Sequence, residues 1–255
     1  RDQTDFRLYN HRGKCYSIMG NQQLAYLDFM KADSLHPDNE AVNNNIGISL
    51  ELQKKYNEAN VYYDKAIRIN DQYTEAYFNK GRTYEKMNLP DSAEFYYLKV
   101  AEINPKDKGV HVVMAMLYES LGRFDSAIDM QTKAIKLDSN DADLYYFRAI
   151  DYDTLQKYEL AIQDYDTFLN KTKDHYDYLA LCKRGKSKEL NGDRPGALND
   201  YNKAISGRKK NVEAYVSRYQ LYLKLNETEK ACDDYKVILK LDKVIAAGLE
   251  NSNCK

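Results

Sequence analysis

One residue type returning at one interval constrains this chain more than anything else in it. Alanine stands at Ala25, Ala59, Ala93, Ala127, Ala161, Ala197 and Ala231, in steps of 34 residues with a single step of 36. Twelve residues before each comes a small residue, at Gly13, Gly47, Gly81, Ala115, Ala149 and Gly185, with Tyr219 breaking the series. Three after that stands Tyr16, Tyr84, Tyr118, Tyr152 or Tyr222, with Leu50 and Lys188 in the other two copies. Four after the alanine comes Phe29, Tyr63, Tyr97, Tyr165, Tyr201 or Tyr235, and Gln131 departs from the pattern. Self-similarity at a fixed period of this length is the signature of an array of supersecondary units, each too small to bury its own apolar face.

Numbering each segment from 1 to 34, with the small residue at 8 and the alanine at 20, divides the chain into 6–39, 40–73, 74–107, 108–141, 142–175, 178–211 and 212–243. Apolar and small residues then fall at positions 4, 8 and 11, and again at 20, 24 and 27. That is helical spacing on two successive stretches. Between them stands a helix-stopping residue such as Gly20, Asn88, Gly122, Gly192 or Asn226. Four prolines, eleven glycines and 24 tyrosines suit helices packed through rings, so the chain reads as all-α. The segment Asp242–Lys255 follows the seventh copy, and 244–255 reads as a cap on the open end of the stack.

A 34-residue unit of this kind, with loops such as Leu121–Ala127 and Ile103–Asp107, resembles the tetratricopeptide repeat. The resemblance covers nearly the whole chain. It implies a right-handed α–α superhelix of helix–turn–helix repeats, without catalysis or cofactor, whose inner wall is formed by helix A and binds a peptide or helix of a partner protein.

Position 7 carries Arg12, Arg148, Arg184 and Arg218, and the same four segments carry Asp28, Asp164, Asp200 and Asp234 at position 23. The other three have neither. Matching substitutions inside one chain predict an ion pair from helix A to helix B, bidentate and partly desolvated; arginines stretched over the surface are the alternative.

The inner wall corresponds to positions 2, 5, 6, 9, 12 and 13. In the stretch Tyr77–Tyr84 the packing positions take Tyr77, Gly81 and Tyr84, which leaves Phe78, Asn79 and Arg82 for a partner. Asn45 and Asn79, both at position 6, resemble the asparagine ladder with which some family members hold a peptide backbone; solvated surface amides are the alternative. The family's clamp for a C-terminal carboxylate is matched at Asn45 but not at Asn10, Lys14, Glu75 or Asn79. Val112, Val113 and Met116, with Tyr146, Phe147 and Ile150, place apolar groups on the wall, either as a partner site or covering one another. Lys183 and Lys186 turn it basic again in the charge run Cys182–Glu189, a solvated helix face or a phosphate site.

The 38 basic and 39 acidic residues leave a formal charge of −1, which argues against nucleic acid as a partner. No apolar run is long enough to span a bilayer, and no hydrolase, phosphate-loop or metalloprotease motif occurs. Cys15, Cys182, Cys232 and Cys254 make no CxxC pair, and with His11, His36, His111 and His175 they offer no metal-ligand spacing. The end of the chain resembles the ends of exported bacterial repeat proteins. There Cys232 would face a cap carrying Cys254, and a disulfide between them would imply an oxidising compartment, exported or periplasmic rather than cytoplasmic. The start at Arg1, without methionine, reads as trimming of a leader or anchor, which would be the chain's one membrane contact. Two other functions stay open: an accessory domain regulating a catalytic or sensor module of a longer protein, and a self-associating assembly factor.

Overall fold

The computed structural model describes residues 5–172, 177–249 and 254. The first residues of the chain, His175 and Tyr176 near the two-residue insertion, and most of the capping segment beyond Leu249 lie outside this set. Among the described residues there are fifteen helices and no strand, so the fold is all-α. They run α1 (Phe6–Ile18), α2 (Gln22–Leu35), α3 (Glu40–Leu52), α4 (Tyr56–Ile69), α5 (Thr74–Lys86), α6 (Pro90–Ile103), α7 (Lys108–Ser120), α8 (Phe124–Leu137), α9 (Ala142–Thr154), α10 (Tyr158–Lys171), α11 (Tyr178–Leu190), α12 (Arg194–Gly207), α13 (Val212–Lys224), α14 (Thr228–Leu241) and α15 (Lys243–Ala247). Odd-numbered helices up to α13 begin at position 1 of the 34-residue frame and the even-numbered ones up to α14 at position 17.

The turn inside each pair has one cause throughout. Position 15 is left-handed in all seven segments, at Gly20, Lys54, Asn88, Gly122, Gln156, Gly192 and Asn226. The amide of the residue immediately before the next helix then returns to the end of the last, as in Leu89 N to Tyr84 O at 2.9 Å, and the chain reverses. Glycine or asparagine announces this in five copies. Lys54 and Gln156 adopt it against their steric preference.

By its contacts the chain divides into two compact units, residues 1–117 and 118–255, with the division inside α7. In the first, α1 packs on α2, α3 on α4 and α5 on α6, while α2 and α4 also pack on the helix that follows. In the second, the pairs are α9 with α10, α11 with α12 and α13 with α14, and neighbouring pairs touch through α8–α9, α10–α11 and α12–α13.

The ring at position 24 explains the small residue at position 8. Tyr63, Tyr97 and Tyr201 are fully buried, and each lies flat against a glycine on its partner helix. A β-carbon on Gly47 would sit 2.5 Å from Cε1 of Tyr63, and one on Gly81 or Gly185 would sit 2.7 Å from Tyr97 or Tyr201. The tyrosine hydroxyls do not go unpaired. Each donates to the carboxylate at position 12 of the facing helix: Tyr63 to Glu51 at 3.0 Å, Tyr165 to Asp153 at 2.9 Å, Tyr201 to Glu189 at 3.2 Å, and Tyr97 to Glu85. The acidic residues at this position are therefore part of the packing and not a solvated face, which the sequence pattern does not reveal. Gly47→Val is expected to cost about 3 kcal/mol by overpacking, read as a lower urea midpoint; an unchanged midpoint would show that the ring can retreat.

Candidate partner-binding surfaces

In the first unit, the amides expected to form a free ladder are engaged with one another. Asn45 Nδ2 donates to Asn10 Oδ1 at 2.8 Å, and Asn79 Nδ2 donates to Asn44 Oδ1 at 2.9 Å. Asn10, Asn44 and Asn79 are buried, so each amide needs a protein partner, and the next segment supplies it. Arg82 is likewise occupied: its Nε and Nη2 both lie 3.2 Å from Glu51, which also accepts from Tyr63 Oη at 3.0 Å, Thr83 Oγ1 at 3.0 Å and Lys86 Nζ at 2.6 Å. Burial pushes the Glu51 carboxyl up, but the hydrogen bonds from Lys86 and Arg82 outweigh it and hold the group below its usual range. Asn79 and Arg82 thus join neighbouring segments and do not stand as open donors on the wall.

Phe78 is different. It lies beside Tyr97, ring centroids 5.5 Å apart, and lines a cleft of 430 Å³ with Glu75, Asn79, Val100, Asn104 and Asp107. The cleft joins an apolar floor, Phe78 and Val100, to carboxylates at Glu75 and Asp107. Val112 and Val113 are half-buried and Met116 is exposed, all within this unit.

In the second unit, Tyr146 is packed against Phe168 and Tyr165, with centroids 5.0 and 5.9 Å away, and its ring meets Phe147 edge-on. That leaves Phe147 half exposed and Ile150 half-buried as the apolar groups nearest solvent. The charge run of α11 is largely neutralised: Lys186 reaches Glu189 at 3.3 Å, Lys188 reaches Asp200 at 2.9 Å, and Arg184 holds Asp200 and Asp166. An equivalent of the Phe78 cleft opens at the start of α11, 400 Å³ lined by Asp177, Tyr178, Leu179, Arg208, Asn211 and Glu213.

The four arginines of position 7 grip their aspartates with both Nε and Nη2. The distances are 2.7 and 2.7 Å for Arg12–Asp28, 2.7 and 2.8 Å for Arg148–Asp164, 2.8 and 2.6 Å for Arg184–Asp200, and 2.9 and 2.6 Å for Arg218–Asp234. Three of them do more. Nη1 of Arg148 donates to Thr132 at 2.9 Å, that of Arg184 to Asp166 at 2.6 Å, and that of Arg218 to Asn202. Thr132, Asp166 and Asn202 all occupy position 25 of the preceding segment. Lys80 follows the same rule by pairing with Asp64 and resting over the Tyr96 ring at 4.6 Å. Each such cation joins two segments, a second role that the sequence reading missed. The signal is present: position 25 is polar before a cation, and apolar (Met30, Leu98) before Ile46 and Met114.

Where the ring of position 24 gives way to Gln131, the chemistry changes. Gln131 Nε2 donates at 2.8 Å to Glu119 and at 2.8 Å to Asp151, two carboxylates brought together on α7 and α9. Asp151 is buried. Burial, then repulsion from Glu119, pushes its carboxyl up to about 7, and burial pushes Glu119 up as well. Position 10 holds a hydroxyl in three other segments, at Ser49, Thr83 and Ser187, and no other segment places an acid there; Ser187 donates its hydroxyl to Asp153 at 2.6 Å. An acid there leaves two acids facing each other, which favours keeping a proton on the pair.

At the end of the chain Cys232 and Cys254 form a disulfide, Cα atoms 5.1 Å apart, that ties the cap to α14, with Ala246, Leu249 and Cys254 packed on Tyr219 and Ile238. Cys15 is exposed and Cys182 buried, both as free thiols.

A paired-helix array with a left-handed turn residue in every pair and a small residue under five of its six position-24 rings belongs to a known class. The tetratricopeptide repeat model matches residues 6–39, 41–73, 74–107 and 109–141, just over half of the chain. The chain belongs to the tetratricopeptide repeat family, whose members mediate protein–protein interaction. Human tetratricopeptide repeat protein 16 is 28% identical over 89 residues; the match spans 32% of this chain and 10% of that protein. Among solved structures, the C-terminal part of a repeat protein from Cytophaga hutchinsonii superposes with a TM-score of 0.79 at 18% identity, covering 96% of this chain and 99% of that one. YrrB, described as having an unusual peptide-binding site, gives a TM-score of 0.63 at 17% identity over 74% of this chain and 97% of its own. At these identities the likeness is one of fold.

Proposed function

We propose that the protein is a non-catalytic scaffold that holds an extended segment of a partner protein, and that all seven segments, including those beyond the family matches, serve as repeats of it. The Phe78 cleft carries this reading. It is a ready-made recess on the helix A surface, with an apolar floor and a carboxylate rim, beside Asn79 and Arg82, whose polar groups are already engaged with Asn44 and Glu51. Such a recess suits an apolar side chain flanked by lysine or arginine. Within the same unit, Val113 and Met116 would extend the apolar contact along the wall, and Phe147 and Ile150 offer apolar groups of their own in the second unit. The peptide-binding site named for YrrB is consistent with this use of the fold.

Peptides selected from a display library on the wild-type protein are expected to lose on the order of tenfold in affinity for Phe78→Ala, roughly the value of one apolar anchor. Glu75→Lys should reject the basic ones. Selected peptides that bind both variants and a Val113→Glu, Phe147→Glu double variant as tightly as wild type would remove the groove from consideration.

A further inference from the structure

Many acids of the array are already engaged. Those at position 12 take a tyrosine hydroxyl in four segments, and those at position 23 take an arginine in four. Glu75 and Asp107 differ. Glu75 is exposed and accepts from the Thr74 hydroxyl at 3.4 Å, while Asp107 Oδ1 accepts from the Val110 amide at 3.2 Å. Among the described residues no cation pairs with either. Both line the Phe78 cleft, and no lysine or arginine lines it with them, although Lys106 and Lys108 flank Asp107 in the sequence.

The opening on the Asp107 side has a cause. Position 2 of the next segment is Gly109, where a β-carbon would stand 3.1 Å from Asp107 Oδ1. Glu213 takes that place in the cleft at the start of α11, and Arg208 stands there in the place of Asn104. A further cleft, beside α4, mixes Lys65 and Arg68 with Asp33 and Asp38. Two unpaired carboxylates around an aromatic floor, with no positive charge among them, set the Phe78 cleft apart from both.

We propose that the Phe78 cleft holds the side chain of an arginine from the partner segment, its stem over Phe78 and Val100 and its guanidinium among Glu75, Asn104 and Asp107. The inference rests on the groove reading above and narrows it, since apolar contact and charge then come from one side chain. The three acceptors stand on α5, just after α6 and just before α7, so donors are needed in several directions. A guanidinium offers five in one plane and lies flat over a ring, whereas an ammonium is more tightly hydrated and has no flat face. Its charge also strengthens each bond to a carboxylate.

The probes are the capped tripeptide acetyl-Ala-Arg-Ala-amide and its citrulline, lysine and leucine counterparts, followed through the backbone amide resonances of the intact protein. The arginine peptide is expected to shift Phe78, Asn104 and Gly109 saturably, with a Kd below about 10 mM. Citrulline keeps the shape without the charge and should bind about fivefold more weakly, as should lysine and leucine. Glu75→Gln, at an exposed position, should weaken the arginine peptide about threefold and leave the citrulline peptide unchanged. Citrulline, lysine or leucine binding as tightly as arginine would overturn the inference. So would arginine binding that ignores Glu75→Gln, or no shift at the cleft at about 20 mM peptide. None of these outcomes touches the groove reading, which stands or falls with the selected peptides and Phe78→Ala.

Discussion

Arg148→Met is expected to lower stability by about 3 kcal/mol, read as a shift in the urea midpoint. It strands the buried Asp164 carboxylate, which the guanidinium holds at 2.7 and 2.8 Å. The same substitution at Arg12 should cost less, because that guanidinium is 59% exposed against 15% for Arg148. Its removal opens the Asp28 carboxylate to water on that side, although Asp28 itself is as buried as Asp164. The contrast follows from burial, since the pair chemistry is the same. The chain also indicates how to remove the pair without penalty: segment 108–141 places Met114 and Met130 at these two positions, after Leu98 at position 25. Arg148→Met, Asp164→Met with Thr132→Leu should therefore recover most of the loss, since apolar groups of similar volume replace a buried ion pair at little net cost. A triple variant as unstable as Arg148→Met alone would show that the ion pair cannot be exchanged for packing here.

The second large effect is one of pH. The carboxyl of Asp151 is pushed to about 7 in the fold from an unperturbed value of 3.8. A raised acid binds its proton more tightly when folded, so its contribution favours folding below about pH 4 and is lost as pH rises towards 7. Above that the penalty is constant, at most about 4 kcal/mol for a shift of this size. Asp151→Ser, which installs the residue found at Ser49 and Ser187, should leave stability nearly unchanged at pH 4.5 and raise it by about 2 kcal/mol at pH 8. A difference between variant and wild type that does not vary with pH would mean that the pair is not proton-linked. Glu119→Gln should act in the same direction through the same shared proton.

The helices, their turns and the ring-on-glycine packing are legible in the sequence because they repeat in register; a period of 34 makes each position its own control. The Arg–Asp grip within a pair was legible for the same reason. What escaped lies between neighbouring segments. The Nη1 bonds to Thr132 and Asn202 look back 16 residues, while the aspartates lie 16 residues ahead, and only the forward partner was sought. Glu51 does not stand out in the sequence, because nothing in its local pattern reveals that Tyr63 and Arg82 close over it. Asn45 and Asn79 read as open amides because an asparagine satisfied by another asparagine has the same one-letter code as one facing water. The Phe78 cleft was partly legible: position 5 marked Phe78, but the recess also needs Val100 and Asn104 from the neighbouring helix.

The disulfide changes how the last helices of the described array can open. In a linear stack, terminal elements lose their neighbours first and fray. At the carboxyl end, Cys232–Cys254 closes a covalent ring around α15, so the last helix and its lid must peel away and return as one body, with fewer open conformations to gain. A reductant would release that ring, so α15 should exchange its amide protons faster under reducing than under oxidising conditions while the earlier helices keep their rates.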